Sequence, residues 1–360
     1  MIKVLQTESP SHSSKNSSRS STMSQSVFVP EYDDKYTVWG HFETVLKIIK
    51  SKQFYPVWIT GHSGNGKSTM VEQACAIANL PDAFLKMSQQ SKLKVFDEYV
   101  KADKPFGREY IRVNFTTETD ESDLIGHYTL IDGNTVYQEG PVTEALRRGA
   151  VLLLDELDMG HVNKILCLQS VLEGKGVLLK QTGEYIKPAD GFTVFATSNT
   201  KGRGSDDGKY IGSSIMNGAF MDRFPAMINQ EYPPSNIERQ ILTRYIADIC
   251  DISDKSILDN KTLKMYATYV QNICKWAEGI RERFKAGDIE EVITTRTLIN
   301  MVKGYYILGS QRMALEMACE RYPDDINQQF RSYYEKLGFS DEDEANQATS
   351  SKDETTTSQN

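Results

Sequence analysis

Short apolar runs separated by amphipathic stretches fill the first two thirds of the chain. Pro56-Val57-Trp58-Ile59 is continuous and apolar, as a buried strand should be. Tyr110–Phe115 alternates with period two, and Val151–Leu154 and Phe192–Ala196 are further short runs. Runs of this kind fit strands of a parallel sheet covered on both faces. Between them, Met70, Ala74 and Ile77 share one helical face, with Val71, Cys75 and Ala78 beside it. Ile165–Leu172 is a second helical signal. The alternation from Pro56 to about Pro234 predicts an α/β sheet with crossover helices. From Asn236 the strand signals stop. Ile237–Ile249, Lys261–Phe284, Thr295–Leu308 and Gln311–Cys319 read as helices, with Pro233-Pro234 at the junction. The expected organisation is an α/β domain over 29–235 and a small helical domain over 236–337. The serine-rich head, 1–28, and the acidic tail, 338–360, are expected to be disordered. Residues 83–109 are polar, with two helical turns at best around Val95–Val100, and read as an insertion between the first helix and the second strand.

One stretch carries chemistry outright. Gly61–Ser68 reads GHSGNGKS and fits G-x-x-x-x-G-K-[ST], the phosphate-binding P-loop. It lies between a predicted strand and a predicted helix, which is the context the motif requires. The glycines at 61, 64 and 66 let the backbone turn tightly and aim its N–H groups at phosphate oxygens. The helix start adds partial positive charge. Lys67 is expected to reach the β- and γ-phosphates, and Ser68 to ligate magnesium. The nucleotide-binding set is therefore Gly61, His62, Ser63, Gly64, Asn65, Gly66, Lys67, Ser68 and Thr69, completed by Asp155. Asp155 ends the apolar run VLLLDE, which places its carboxylate at the carboxyl edge of the sheet. Ser68 and Asp155 are the expected metal ligands, and Glu156 the residue that orients and polarises the attacking water. Asn199, just past the Phe192–Ala196 run, is a candidate partner for the γ-phosphate or the lytic water. Arg223, between Phe220 and Phe224, is a candidate arginine finger. Arg296, at a helix start, is a candidate for reaching back to the γ-phosphate.

Composition narrows the class. The chain has 360 residues and a net charge of −8. The tail from 337 contributes −5 and the head +2, which leaves −5 for the body. That is no footprint for nucleic acid. The five cysteines are scattered, without a C-x-x-C pair or a Cys/His cluster, so neither a zinc site nor a disulfide framework is expected. No apolar run approaches the length of a membrane span, and the N-terminus has no apolar signal core. A reducing, cytoplasmic setting is the expectation.

With these elements in this order the chain resembles the AAA+ P-loop NTPases. It is most similar to their MoxR-like branch, on the side of the cobaltochelatase ATPase subunit (CobS-like). The likeness rests on Val29-Pro30-Glu31-Tyr32-Asp33, the P-loop with its continuation STMVEQACA, and Asp123-Leu-Ile-Gly126. Gly140-Pro141, VLLLDELDMG, residues 195–224 and GDIEEVITTRTLIN at 287–300 complete it. The resemblance implies a helical lid domain after the α/β domain, sensor roles for Asn199 and Arg296, and an Arg223 that acts on the ATP of a neighbouring subunit. It implies a ring homo-oligomer, commonly a hexamer, using ATP and Mg2+. Partners in the family are typically proteins with a von Willebrand factor A domain. Leu124–Glu139 resembles the helix-2 insert, turning at Asp132-Gly133-Asn134. Val177–Pro188 resembles the hairpin before sensor 1, turning at Thr182-Gly183. Three features depart from the family pattern: the 83–109 insertion, the two long tails, and Thr295 where proline is expected.

The function expected is thus an ATP-hydrolysing ring motor that remodels or activates a protein partner, with cobaltochelatase service as the narrower option. A nucleotide-gated scaffold without turnover and a nucleic-acid-directed motor are the alternatives. The complete catalytic set speaks against the first and the acidic body against the second.

Overall fold

The computed structural model describes residues 29–202, 215–249 and 260–338. The predicted head (1–28), all of the predicted 338–360 tail but Gly338, Cys250 and the 203–214 part of the family-like stretch lie outside the described residues.

Nine strands occur among the described residues: β1 (Val57–Thr60), β2 (Tyr110–Asn114), β3 (Gly126–Ile131), β4 (Asn134–Glu139), β5 (Val151–Asp155), β6 (Val177–Leu178), β7 (Tyr185–Ile186), β8 (Thr193–Ser198) and β9 (Ala226–Asn229). Five of them form the main sheet in the order β2-β5-β8-β1-β9. Every pairing in it is parallel. The central strands β1, β5 and β8 are buried at every position, which is why they read as unbroken apolar runs and not as alternating ones. β3 with β4 and β6 with β7 are separate antiparallel hairpins. Asp132 and Gly133 both have positive φ, 50° and 80°, as the tight turn between β3 and β4 demands.

The sheet is sandwiched by helices, as expected. On one face pack α1 (Phe42–Ser51) and α2 (Lys67–Ala76), with α3 (Gln89–Lys101) outside them. Phe42, Val45, Leu46 and Ile49 of α1 recur on one face of the helix and are buried there. On the other face lie α4 (Glu121–Ile125), α5 (Pro141–Arg148), α6 (Leu168–Leu172) and α7 (Gly218–Met221). A separate apolar core joins α8 (Ser235–Ile249), α9 (Asn260–Ala286), α10 (Thr295–Leu308), α11 (Gln311–Cys319) and α12 (Asp324–Lys336).

Two expectations need correction, and some elements were not foreseen. The 83–109 insertion holds a thirteen-residue helix, α3, and not two turns. Ser88 caps it by accepting from the Ser91 amide, and Phe96 packs against Phe84, Phe106 and Tyr32 with ring centroids 5.0–6.1 Å apart. The insertion is thus anchored to the start of the α/β unit through aromatic rings. The helix foreseen over Ile165–Leu172 is helical only from Leu168. Ahead of it, tighter bonds such as Leu168 N–H to Ile165 O (3.0 Å) close three-residue turns. α1, α5, α12 and the edge strand β9 were not foreseen. α12 places Ile326, Phe330 and Tyr334 at i, i+4 and i+8 on the helical core, a signal masked by its polar composition.

Candidate nucleotide site

The P-loop sits where the fold makes it usable. β1 ends in the centre of the sheet, Gly61–Gly66 turns, and Lys67 opens α2. Gly66 has φ +83° at the start of α2, a left-handed conformation that glycine adopts without strain. Gly61 is needed for a different reason. A Cβ there would lie 2.1 Å from the Gln230 carbonyl, so only a bare backbone passes β9 at this point. The Asn65 side chain donates to the same carbonyl and ties the loop to the end of β9. The resulting cradle leaves a Cβ on Gly66 with nothing within 4 Å, so the loop mouth is open. Thr69 is exposed on the first turn of α2.

Lys67 is 8% exposed and folds back into the loop. Its Nζ donates to Gly61 O (2.6 Å), His62 O (2.9 Å) and Asn199 Oδ1 (3.2 Å). Burial lowers its pKa to about 8, while the nearby Asp155 carboxylate pulls the other way. Ser68 Oγ donates to Asp155 Oδ1 at 2.6 Å. The end of β8 therefore brings Asn199 to the lysine, and the end of β5 brings Asp155 to the serine.

Asp155 has further partners that sequence reasoning missed. Thr197 on β8 donates to Asp155 Oδ1, and its Oγ1 accepts the Glu156 amide at 3.0 Å. Arg112 on β2 pairs with Asp155 Oδ2. Glu156 is exposed and holds φ +57°, a left-handed backbone that a residue other than glycine adopts only under constraint. That turn directs the chain from β5 into the short Leu157–Met159 turn. Asp158, 1% exposed, was also missed. Its Oδ2 accepts the Asn199 amide (3.2 Å), the Thr200 amide (3.0 Å) and the Thr200 hydroxyl (2.9 Å). Asp158 thereby fixes the loop that carries Asn199. Only its place in DELD, three residues past Asp155, signalled this.

The helical core supplies the opposite wall. The first turn of α10 lies against the loop: a Cβ on Gly64 would stand 3.2 Å from Thr294 Cβ and 3.3 Å from Arg296 Cβ. Thr294 caps α10 by accepting from the Thr297 amide at 3.0 Å. The His62 ring stacks on Tyr232 (centroids 6.0 Å, planes 4° apart) and meets Phe284 of α9 edge-on at 5.2 Å. Beside the loop opens a cavity of about 620 Å³ bounded by His62, Asn199, Tyr232, Glu238 and Arg281. Arg223 stands apart from all of this. Its Nε donates to Glu173 Oε1 at 2.9 Å, and it also bonds Ala219 O. The structure thus brings together Lys67, Ser68, Asp155, Asn199 and the base of Arg296, and leaves Arg223 elsewhere on the same chain.

The donor set fits a magnesium-bound nucleotide. A hydroxyl and a buried carboxylate in contact, beside a glycine cradle at a helix start, form the hard-oxygen half of such a site.

Residues 56–224 match the AAA domain model of the dynein-related subfamily. That stretch is similar to an AAA domain. Over 306 residues it is 27% identical to aerobic cobaltochelatase subunit CobS of a Sinorhizobium species, covering 83% of this chain and 80% of that one. An uncharacterized protein of Staphylococcus epidermidis is 26% identical over 280 residues, 76% of this chain and 86% of its own. Midasin of Giardia intestinalis is 25% identical over 304 residues, which span 82% of this chain but 6% of midasin. The AAA+ resemblance, the α/β sheet sandwiched by helices and the following helical part are thus borne out. Among the described residues, no helix is long and apolar enough to cross a membrane.

Proposed function

We propose that the AAA-like domain binds ATP with Mg2+ and hydrolyses it in a ring of identical subunits, hexameric as in the family, and that the cycle remodels or activates a protein partner. The supporting observation is the meeting of Lys67, Ser68, Asp155 and Asn199, from three separate segments, at the carboxyl edge of the sheet. Lys67 trades its loop carbonyls for phosphate oxygens. Ser68 and Asp155 hold the metal, which when bound neutralises charge on the phosphates. Arg112, paired with Asp155 Oδ2, holds that carboxylate at the carboxyl edge of the sheet, where it would meet the cation. Glu156, exposed at the end of β5, polarises the attacking water. Asn199 orients the γ-phosphate or that water, and Arg296 reaches the γ-phosphate from α10.

Arg223 belongs to the neighbour's reaction in this proposal. Its own-chain partners, Glu173 and Ala219, leave it away from the loop, as a finger acting between subunits requires. The helical part from 236 to 337 acts as a lid hinged at Pro233-Pro234. The two hairpins carry exposed Tyr128, Leu130, Leu178 and Tyr185, surface suited to a client or to a von Willebrand-type partner. The CobS likeness makes a cobaltochelatase-like assembly the narrower form of the proposal. The test is ATP turnover measured across a dilution series alongside the assembly state, with Lys67→Ala as the blank. Turnover is expected to track the ring. Brisk hydrolysis by a monomer would overturn the shared-site reading.

A further inference from the structure

Thr295, where the resemblance leads one to expect proline, is one of the three departures, and the structure shows what the threonine does. Position 295 is the first residue of α10, where proline is well tolerated because its missing N–H has no helical partner. Threonine brings a hydroxyl that proline lacks. Thr295 is 7% exposed, and its Oγ1 donates to Glu238 Oε1 at 2.6 Å. Glu238, 1% exposed on α8, is in turn bound by both arms of Arg281 on α9, at 2.8 and 2.9 Å. Arg281 Nε donates to the carbonyl of Ile293, two residues before Thr295, at 2.9 Å. Three helices of the helical part are therefore pinned at one buried point, and that point includes the segment leading into Arg296.

The same cluster reaches the P-loop. The Arg281 guanidinium lies over the Tyr232 ring at 4.3 Å, and the Tyr232 hydroxyl donates to Ser63 O at 3.0 Å. From Ser63 the chain runs to Gly64, against which Arg296 Cβ stands. The contacts thus form a closed circuit: loop, Tyr232, Arg281, Glu238, Thr295, Arg296 and back to the loop. A buried ion pair costs desolvation and is retained best when every oxygen and N–H finds a partner, which the Thr295 hydroxyl helps to supply.

We propose that Thr295 is a positioning residue for Arg296. Through the buried Glu238–Arg281 pair it fixes the first turn of α10 against the P-loop, so that the arginine meets the terminal phosphate in one orientation. This rests on the role proposed above for Arg296.

Removing Glu238 or Arg281 would leave a buried charge unpaired and risk unfolding, so the variants are made at Thr295. Four proteins, Thr295→Val, Thr295→Ser, Arg296→Ala and the Thr295→Val/Arg296→Ala double variant, are assembled and compared for kcat, KM for ATP and Tm. Thr295→Val is expected to lower kcat by on the order of tenfold, the weight of one charge-assisted hydrogen bond, with KM changing less. Thr295→Ser should restore turnover, and the double variant should match Arg296→Ala alone. A wild-type kcat for Thr295→Val, or a loss that multiplies with Arg296→Ala, would overturn the positioning role. So would a fall in Tm alone. An Arg296→Ala protein with full activity would instead remove the functional reading beneath it, so the two failures are told apart.

Discussion

The free P-loop lysine makes a measurable claim about pH. Burial lowers Lys67 from 10.5 to about 8, and only part of that shift is offset by Asp155. At pH 7 roughly nine-tenths of the free protein then carries the charged lysine, and at pH 9 roughly one-tenth. Bound triphosphate returns negative charge to the ammonium and restores its ordinary, high pKa. Binding therefore takes up a proton above pH 8, and the dissociation constant for Mg-ATP should rise about tenfold from pH 7 to pH 9, or about 1.4 kcal/mol. The nucleotide's terminal phosphate, with a pKa of about 6, is already about nine-tenths ionised at pH 7, so its titration adds little across this window. Free-protein stability should move the other way. The folded pKa lies below the unfolded one, so the fold disfavours charged Lys67. That penalty is full below pH 8 and disappears as pH rises towards 10.5, up to about 3 kcal/mol in all. Isothermal titration at fixed salt, with Lys67→Met as the reference, measures the first effect. Urea midpoints of the same two proteins measure the second. A flat affinity between pH 7 and 9 in the wild-type protein would refute the buried-lysine argument.

The remaining expectations concern single groups. Glu156→Gln should keep ATP affinity and lose turnover by at least about 10²-fold, as removal of a general base does; unchanged hydrolysis in a steady-state assay would contradict the role given to it. Arg223→Ala should block hydrolysis, yet mixing it with Glu156→Gln subunits should recover some activity through hybrid interfaces. No recovery in rings shown to be mixed would count against a finger acting between subunits. Leu153→Ala empties a fully buried position in the middle of β5 and should cost about 2–5 kcal/mol in chemical denaturation, without moving the proposed ligands directly.

The local signals were legible because their causes are local. An apolar run such as VLLLD ends where a buried strand ends. In GHSGNGKS, Gly66 is needed because the backbone turns there, whatever surrounds it, whereas the need for Gly61 comes from the nearby Gln230 carbonyl. The turns at Asp132-Gly133-Asn134 and Thr182-Gly183 came from the family resemblance, and each closes a hairpin. Pairings across the sheet had no such signal. Arg112 meets Asp155 because β2 lies beside β5 in parallel register, and Thr197 meets it from β8 on the other side. Nothing within reach of either residue along the chain records that neighbour. Asp158 drew no reading from the sequence, and only the fold places the Asn199 loop on it. Thr295 read as a departure from a pattern until α8 brought Glu238 against it. The chain alone therefore pointed to the loop that turns between strand and helix and to its glycine cradle, since backbone geometry follows from near neighbours. Which charges share a carboxylate, and which helix holds Arg296 to the loop, waited on packing, since electrostatic partners are chosen by distance in space.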